Sequence, residues 1–176
     1  GQRGVQAHVK AAQFDGAGNG TWLPIVHGSG PMTVANGWLD QADVLIRTRQ
    51  AADALGATRC HRPEWVAVNE NTRDVYVTST NGSGNNAPVN SNRDPNPYGH
   101  IVRLHETGAD NTALTFTWDI YVIAGDSAYD ATVPATRPAF GSPDGLWVDG
   151  DGRLWIQTDI SNSSQNLASR GYNNIG

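Results

Sequence analysis

Glu64 and Asp144 stand at the same place in two copies of one pattern, and Arg62 lies two residues before the first of them. Residues 63–80 read Pro-Glu-Trp-Val-Ala-Val, a polar turn, then Asp-Val-Tyr-Val-Thr-Ser-Thr. Residues 143–160 read Pro-Asp-Gly-Leu-Trp-Val, then Asp-Gly-Asp-Gly-Arg, then Leu-Trp-Ile-Gln-Thr-Asp-Ile. Carboxylates at the same end of equivalent strands converge when the copies are arranged around an axis. Converging carboxylates repel one another and are costly to desolvate. A hard cation that takes many oxygen ligands, such as calcium, removes that cost. Glu64 and Asp144 are therefore read as metal ligands. The alternative is that each caps its strand or pairs with a neighbouring Arg. A planar guanidinium at Arg62, beside such a centre, suits bidentate recognition of phosphate or carboxylate. Its alternative is a structural ion pair with Glu64 or Asp144.

Other side chains near these positions are less specific. Cys60 could ligate a soft or ferric metal. A lone Cys in apolar surroundings is more often a small core residue, and that reading is preferred. His61 reads as exposed loop, and His100 as either a satisfied structural histidine or a site residue. Asp159 ends the last strand, as either a ligand or a loop cap. Asn81, Asn85 and Asn86 offer oxygens to calcium or simply make turns.

The elements that must position these residues are mostly strands. Each copy is a hairpin, with a strong turn signal at Asp149-Gly150-Asp151-Gly152 in the second. The copies start 80 residues apart, with strands expected at 100–105 and 114–122 between them and a turn over 106–110. Four strands in roughly 40–50 residues is the period of a β-propeller blade. The repeat is then one large blade with long loops, or two small ones. The fold expected is mainly β, part of a β-propeller of about two to three blades, with one inserted α-helix near residues 40–55. That helix has Asp40 as N-cap, Asp43 in its first turn and Gly56 as its stop. Val44, Ala51 and Leu55 share its inner face, with Ala52 and Ile46 nearby. A strand at 21–27 has Pro24 at an edge position, and a further strand is possible at 5–9. Two long loops, 80–99 and 125–141, are of a length that is usually functional or disordered.

Composition excludes several classes. The 176 residues carry a net charge of −5, which offers no basic footprint for nucleic acid. Charged residues are only 16% and Trp number six, which excludes an intrinsically disordered chain. No apolar run is long enough to span a bilayer. One Cys excludes an internal disulfide. Gly-x-Ser-x-Gly, P-loop, His-Glu-x-x-His and Cys-x-x-Cys patterns are absent. The chain opens on Gly1 without an initiator Met, and residues 1–176 are expected to be a partial propeller domain truncated at both ends.

Several separated motifs then carry a resemblance. They are Asp40 to Ile46 and Arg47 to Leu55, leading into Gly56-Ala-Thr-Arg-Cys-His-Arg-Pro-Glu-Trp65. Asn96-Pro-Tyr-Gly-His-Ile101, Thr115-Phe-Thr-Trp-Asp119, Phe140-Gly-Ser-Pro-Asp-Gly-Leu-Trp147 and Gly152-Arg-Leu-Trp-Ile-Gln-Thr-Asp159 follow in order. From about residue 20 to its end the chain resembles the PhoX-type alkaline phosphatases. The resemblance implies a β-propeller phosphomonoesterase with a calcium and ferric-iron centre. It implies export, often by the twin-arginine route, to the periplasm or beyond the cell. By resemblance Glu64 and Asp144 bind metal and Arg62 contacts the substrate phosphate. The partners implied are small phosphate monoesters, and the complete protein is expected to be a monomer. Before Arg-Pro-Glu-Trp the family commonly has Met-Asp, where this chain has Cys60-His61. The family's iron-binding Cys belongs to an upstream motif that this chain lacks, along with further acidic ligands. Activity is therefore expected of the complete protein and not of this length alone. Two other readings stay open: a calcium-dependent lactonase or esterase propeller, and a non-catalytic propeller that calcium only stabilises.

Overall fold

The computed structural model describes residues 9–162 apart from 111, 137 and 138. Eight strands dominate: β1 (Lys10–Phe14), β2 (Asn19–Pro24), β3 (Pro63–Val68), β4 (Val75–Ser79), β5 (His100–Glu106), β6 (Thr115–Ile123), β7 (Pro143–Val148) and β8 (Leu154–Thr158). The first six form one antiparallel sheet in the order β1-β2-β6-β5-β4-β3, and β7 pairs with β8 alone. The 80-residue period thus covers one four-stranded meander, β3 to β6, after which β7–β8 begins the pattern again. The possible strand at 5–9 falls almost wholly outside the described residues, and β1 starts after it.

Strand β5 is central and covered on both faces, so its side chains alternate between two cores. Val102 and Leu104 join Val89 and Phe116 on one face, with Phe14, Trp22 and Trp118 packed around them. Ile101 joins Tyr76 and Leu146 on the other, and Leu146 brings the β7–β8 hairpin onto the sheet. Phe14 meets Phe116 edge-on at 5.3 Å and Trp118 at 5.5 Å, the geometry that aromatic quadrupoles favour.

The single helix expected near residues 40–55 is two: α1 (Gln41–Ile46) and α2 (Thr48–Leu55). Both end signals hold. Asp40 Oδ1 accepts the Asp43 N–H at 2.8 Å, and Gly56 closes α2 at φ 79°. The break falls at Arg47, whose φ and ψ of −98° and 34° leave the helical region. Its guanidinium lies 4.0 Å over the Trp38 ring and binds Asp43 and the Gly37 carbonyl, while the Thr48 hydroxyl takes the Leu45 carbonyl. Tertiary and side-chain bonds here outcompete the helical continuation. Val44 and Ala51 are buried as expected, but the break rotates Ile46 out to 84% exposure.

The two long loops are packed. Loop 80–99 carries a 3-10 turn at Pro88–Asn90 and a bridge between Gly82 and Asn96. Loop 125–141 is pinned where Gly125 bridges Phe140. Arg93 ties them: it donates to the Ala124 carbonyl and to Asp130 Oδ2, each at 2.9 Å, and to the Gly99 carbonyl. Gly99 has φ 82°, and a Cβ there would sit 2.3 Å from the Ser79 and Thr80 carbonyl oxygens, so the chain passes where only glycine fits.

Candidate functional site

The two copies of the repeat share a backbone irregularity. In the first, Pro63 faces Ser79 and Val66 faces Val77; in the second, Pro143 faces Thr158 and Leu146 faces Ile156. Each first strand therefore has one extra residue, a β-bulge that falls on Glu64-Trp65 and on Asp144-Gly145. A bulge bends its strand, re-aims side chains and frees backbone groups from the ladder. The freed groups are taken by buried hydroxyls of β4 and its end. Thr78 Oγ1 accepts the Trp65 N–H at 2.9 Å and donates to the Asp144 carbonyl at 2.9 Å. Thr80 Oγ1 donates to the Pro143 carbonyl at 3.0 Å.

The residue before each proline is equivalent as well. Arg62 has φ 35° and Ser142 φ 55°, both left-handed. The Arg62 carbonyl accepts the Thr80 N–H at 3.1 Å, and the Ser142 carbonyl accepts the Asp159 N–H at 2.9 Å. A non-glycine residue in this region, followed by proline, is strained by about 1–3 kcal/mol and is held only where its surroundings over-determine it.

These turns bring the three sequence-predicted residues together. Arg62 Nη2 reaches Glu64 Oε1 at 3.0 Å, and Nη1 donates to Asn81 Oδ1 at 3.3 Å. The Asp144 carboxyl is held above the usual aspartate range. Partial burial is the main cause, the nearby carboxylates of Glu64 and Asp159 add to it, and the Arg62 guanidinium opposes it. Arg62 lines a cleft of about 200 Å³ with Asn81, Pro97, Ser142, Asp159 and Ile160. Asp159 is thereby drawn into the site, where its sequence position left ligand and cap both open. The repeat carried the signal, because Asp159 follows β8 where Thr80 follows β4. Asn81, for which calcium oxygen and turn residue were both open, also lines the cleft and accepts from Arg62.

Among the described residues no three His, Cys, Asp or Glu side chains converge closely enough to hold a metal ion. In kind, the donor set fits a hard cation. Glu64, Asp144, Asp159 and Asn81 offer only oxygen, and the mutual repulsion on Asp144 is what a cation would relieve. Cys60 is a core residue. Its thiol packs against the Val89–Phe116 cluster, and burial pushes it up to about 11.

His61 departs from expectation. It is 4% exposed instead of lying in open loop, because loop 80–99 folds over it. Its N–H donates to Asn90 Oδ1 at 2.8 Å, and neither ring nitrogen has a partner among the described residues. His100 is structural. Nε2 donates to the Val89 carbonyl at 2.8 Å and Nδ1 accepts from Asn96 Nδ2 at 2.8 Å, which fixes a neutral tautomer. Burial, with smaller contributions from Arg93 and His61, lowers its pKa from 6.5 to about 4, against the bond to Val89. The unfolded chain takes up this proton as pH falls through 6.5, whereas the folded chain does so only near 4. Stability is therefore complete above about pH 6.5 and declines between 6.5 and 4, by up to about 3 kcal/mol. Urea midpoints from pH 8 to 4.5 test this: His100→Gln should flatten the decline, and an unchanged slope would refute it.

The model of the alkaline phosphatase PhoX family matches residues 4–175. Among solved structures, Pseudomonas fluorescens PhoX in complex with vanadate, a transition state analogue, is similar with a TM-score of 0.77 and 34% identity. The likeness covers 92% of this chain and 31% of that one, so the chain spans about a third of the relative's length. No curated protein matches the chain. With a family model that takes in every strand from β1 to β8, the chain belongs to the PhoX family of alkaline phosphatases.

Proposed function

We propose that the chain is part of a metal-dependent β-propeller phosphatase that hydrolyses phosphate monoesters and releases inorganic phosphate. In this reading β3–β6 is one blade and β7–β8 opens the next. Glu64 and Asp144 hold calcium and ferric iron, together with ligands outside this chain, and Arg62 binds the phosphate. The observation that carries it is the placement of Glu64 and Asp144 on two equivalent bulged turns within electrostatic reach of each other, with Arg62 paired to Glu64 and lining a cleft. Family membership supports the chemistry, as does the relative's complex with a transition state analogue. The complete protein is further proposed to be exported, periplasmic or secreted, and monomeric; among the described residues no helix is long and apolar enough to cross a membrane.

Each residue has a derivable part. Arg62 presents a planar fork of N–H donors that matches two phosphoryl oxygens at once. It is committed to Glu64 and Asn81, but the Arg62 and Glu64 side chains are 54% and 34% exposed. A pair so exposed is worth at most about 1 kcal/mol and yields readily when phosphate and cation arrive. Glu64 and Asp144 supply hard oxygen donors, and the strained turns before Pro63 and Pro143 fix their direction. Bound hard cations would neutralise phosphoryl oxygens and favour attack by an oxygen nucleophile. No side-chain nucleophile is required.

The test is hydrolysis of a chromogenic phosphomonoester by the complete protein, with added calcium and with chelator. Calcium-dependent turnover that chelator abolishes is the expected result. No turnover by folded, metal-loaded protein overturns the reading, and turnover of lactones alone would favour the lactonase alternative.

A further inference from the structure

We propose that Ser142 is a second substrate contact, its hydroxyl donating to a phosphoryl oxygen from the wall of the cleft it shares with Arg62. The inference rests on the phosphatase reading and extends it to a residue that the two carboxylates and Arg62 leave unexplained.

Four observations converge on Ser142. It lines the cleft together with Arg62, Asn81 and Asp159. It is the repeat counterpart of Arg62, with the same left-handed backbone and the same carbonyl bond to the residue after the second strand. Its backbone is clamped at both ends: the N–H donates to the Tyr98 carbonyl at 2.7 Å, and the carbonyl accepts from Asp159 at 2.9 Å. With φ and both backbone bonds set, the position of Cβ is fixed and only the χ1 rotation of the hydroxyl remains to be chosen. The residue is only 4% exposed, although it borders the cleft. Arg62 spends its side chain on Glu64 and Asn81, whereas Ser142 borders the same cleft with its backbone N–H and carbonyl already bonded elsewhere.

The backbone explains why the side chain itself is informative. At φ 55° glycine would sit without steric cost, and serine does not. What serine adds over glycine there is a hydroxymethyl group, and over alanine one hydroxyl. It is a hydrogen-bond donor and not a nucleophile: its proton stays on oxygen and shifts only its hydrogen-bond partner. A donor to an anionic phosphoryl oxygen is charge-assisted and stronger than a neutral pair.

Ser142→Gly and Ser142→Ala in the complete protein separate the hydroxyl from the fold. Both should lower kcat/KM for a chromogenic phosphomonoester roughly 10- to 100-fold and weaken inhibition by inorganic vanadate by a similar factor. Ser142→Gly should meanwhile melt at or above the wild-type temperature, because it relieves the strained backbone. Lower activity in a more stable protein is a combination that a merely structural serine would not give. A Gly variant with wild-type kcat/KM and vanadate inhibition would overturn the proposal even if the Ala variant folds poorly. If wild-type protein hydrolyses no phosphate ester, the phosphatase reading falls and this proposal with it. If wild type is active and the Gly variant equally so, only Ser142 falls.

Discussion

Arg62→Ala in the complete protein should lower kcat/KM for a phosphate monoester by about 100-fold or more, close to 3 kcal/mol of transition-state stabilisation. The loss follows from the fork: two parallel N–H donors meet phosphoryl oxygens whose charge must be neutralised before phosphorus is open to attack. Arg62→Lys should recover only part, since an ammonium keeps the charge and loses the planar pair of donors. Stability should change little, because the Arg62–Glu64 pair is well exposed and worth at most about 1 kcal/mol. The melting temperature therefore serves as the control, and an activity loss without a melting change assigns the effect to substrate. In a lactonase Arg62 would be dispensable. A variant whose kcat/KM stays within about threefold of wild type would remove Arg62 from the phosphate.

The second large effect is on folding. Arg93→Met should destabilise the protein by about 3–5 kcal/mol. The Arg93 and Asp130 side chains are 7% and 16% exposed, so the ion pair is largely screened from water. Without the guanidinium, Asp130 is left charged and only partly accessible to water, and the Ala124 and Gly99 carbonyls lose their donor. Burial pushes the Asp130 carboxyl up, but its bonds to Thr132 and to Arg93 outweigh this and hold it below the ordinary 3.8. Its contribution is thus present above pH 3.8 and is lost only in stronger acid. Chemical denaturation of Arg93→Met, Asp130→Asn and the double variant measures the coupling. The double variant should lose less than the sum of the singles, because the neutral amide tolerates the missing cation. Strictly additive losses would mean that the pair does not couple the two loops.

The sequence made the repeat legible because hairpins of alternating strands are local objects. Pro63 and Pro143 could be aligned by eye, and with them Glu64, Asp144 and the position of Arg62. The bulges were not legible, because they depend on which residue of the partner strand each position faces. Asp159 could have been promoted by carrying the alignment to the ends of β4 and β8. Nothing in the helix sequence marked Arg47 as a break, since its cause is the Trp38 ring and the Gly37 carbonyl outside the helix. The burial of His61 and the role of Arg93 were hidden for a common reason. Both depend on how loop 80–99 folds back, and its Asn, Gly, Ser and Pro read only as turns.

Thr78 makes the geometry of the site independent of the chain's length. Its hydroxyl touches the Trp65 N–H of one bulge and the Asp144 carbonyl of the other, although Thr78 and Asp144 are 66 positions apart in sequence. The gauge between the two bulges is therefore set by direct bonds, those of Thr78 and of Thr80 to Pro143, and not by the path that joins them. Insertions in the loops along that path raise the entropy of closure only slowly. They leave that gauge untouched so long as β4 and β7 still meet. Relatives can thus acquire quite different loop regions around an unaltered spacing of Glu64 and Asp144, and loop size becomes a free variable for shaping access to the cleft.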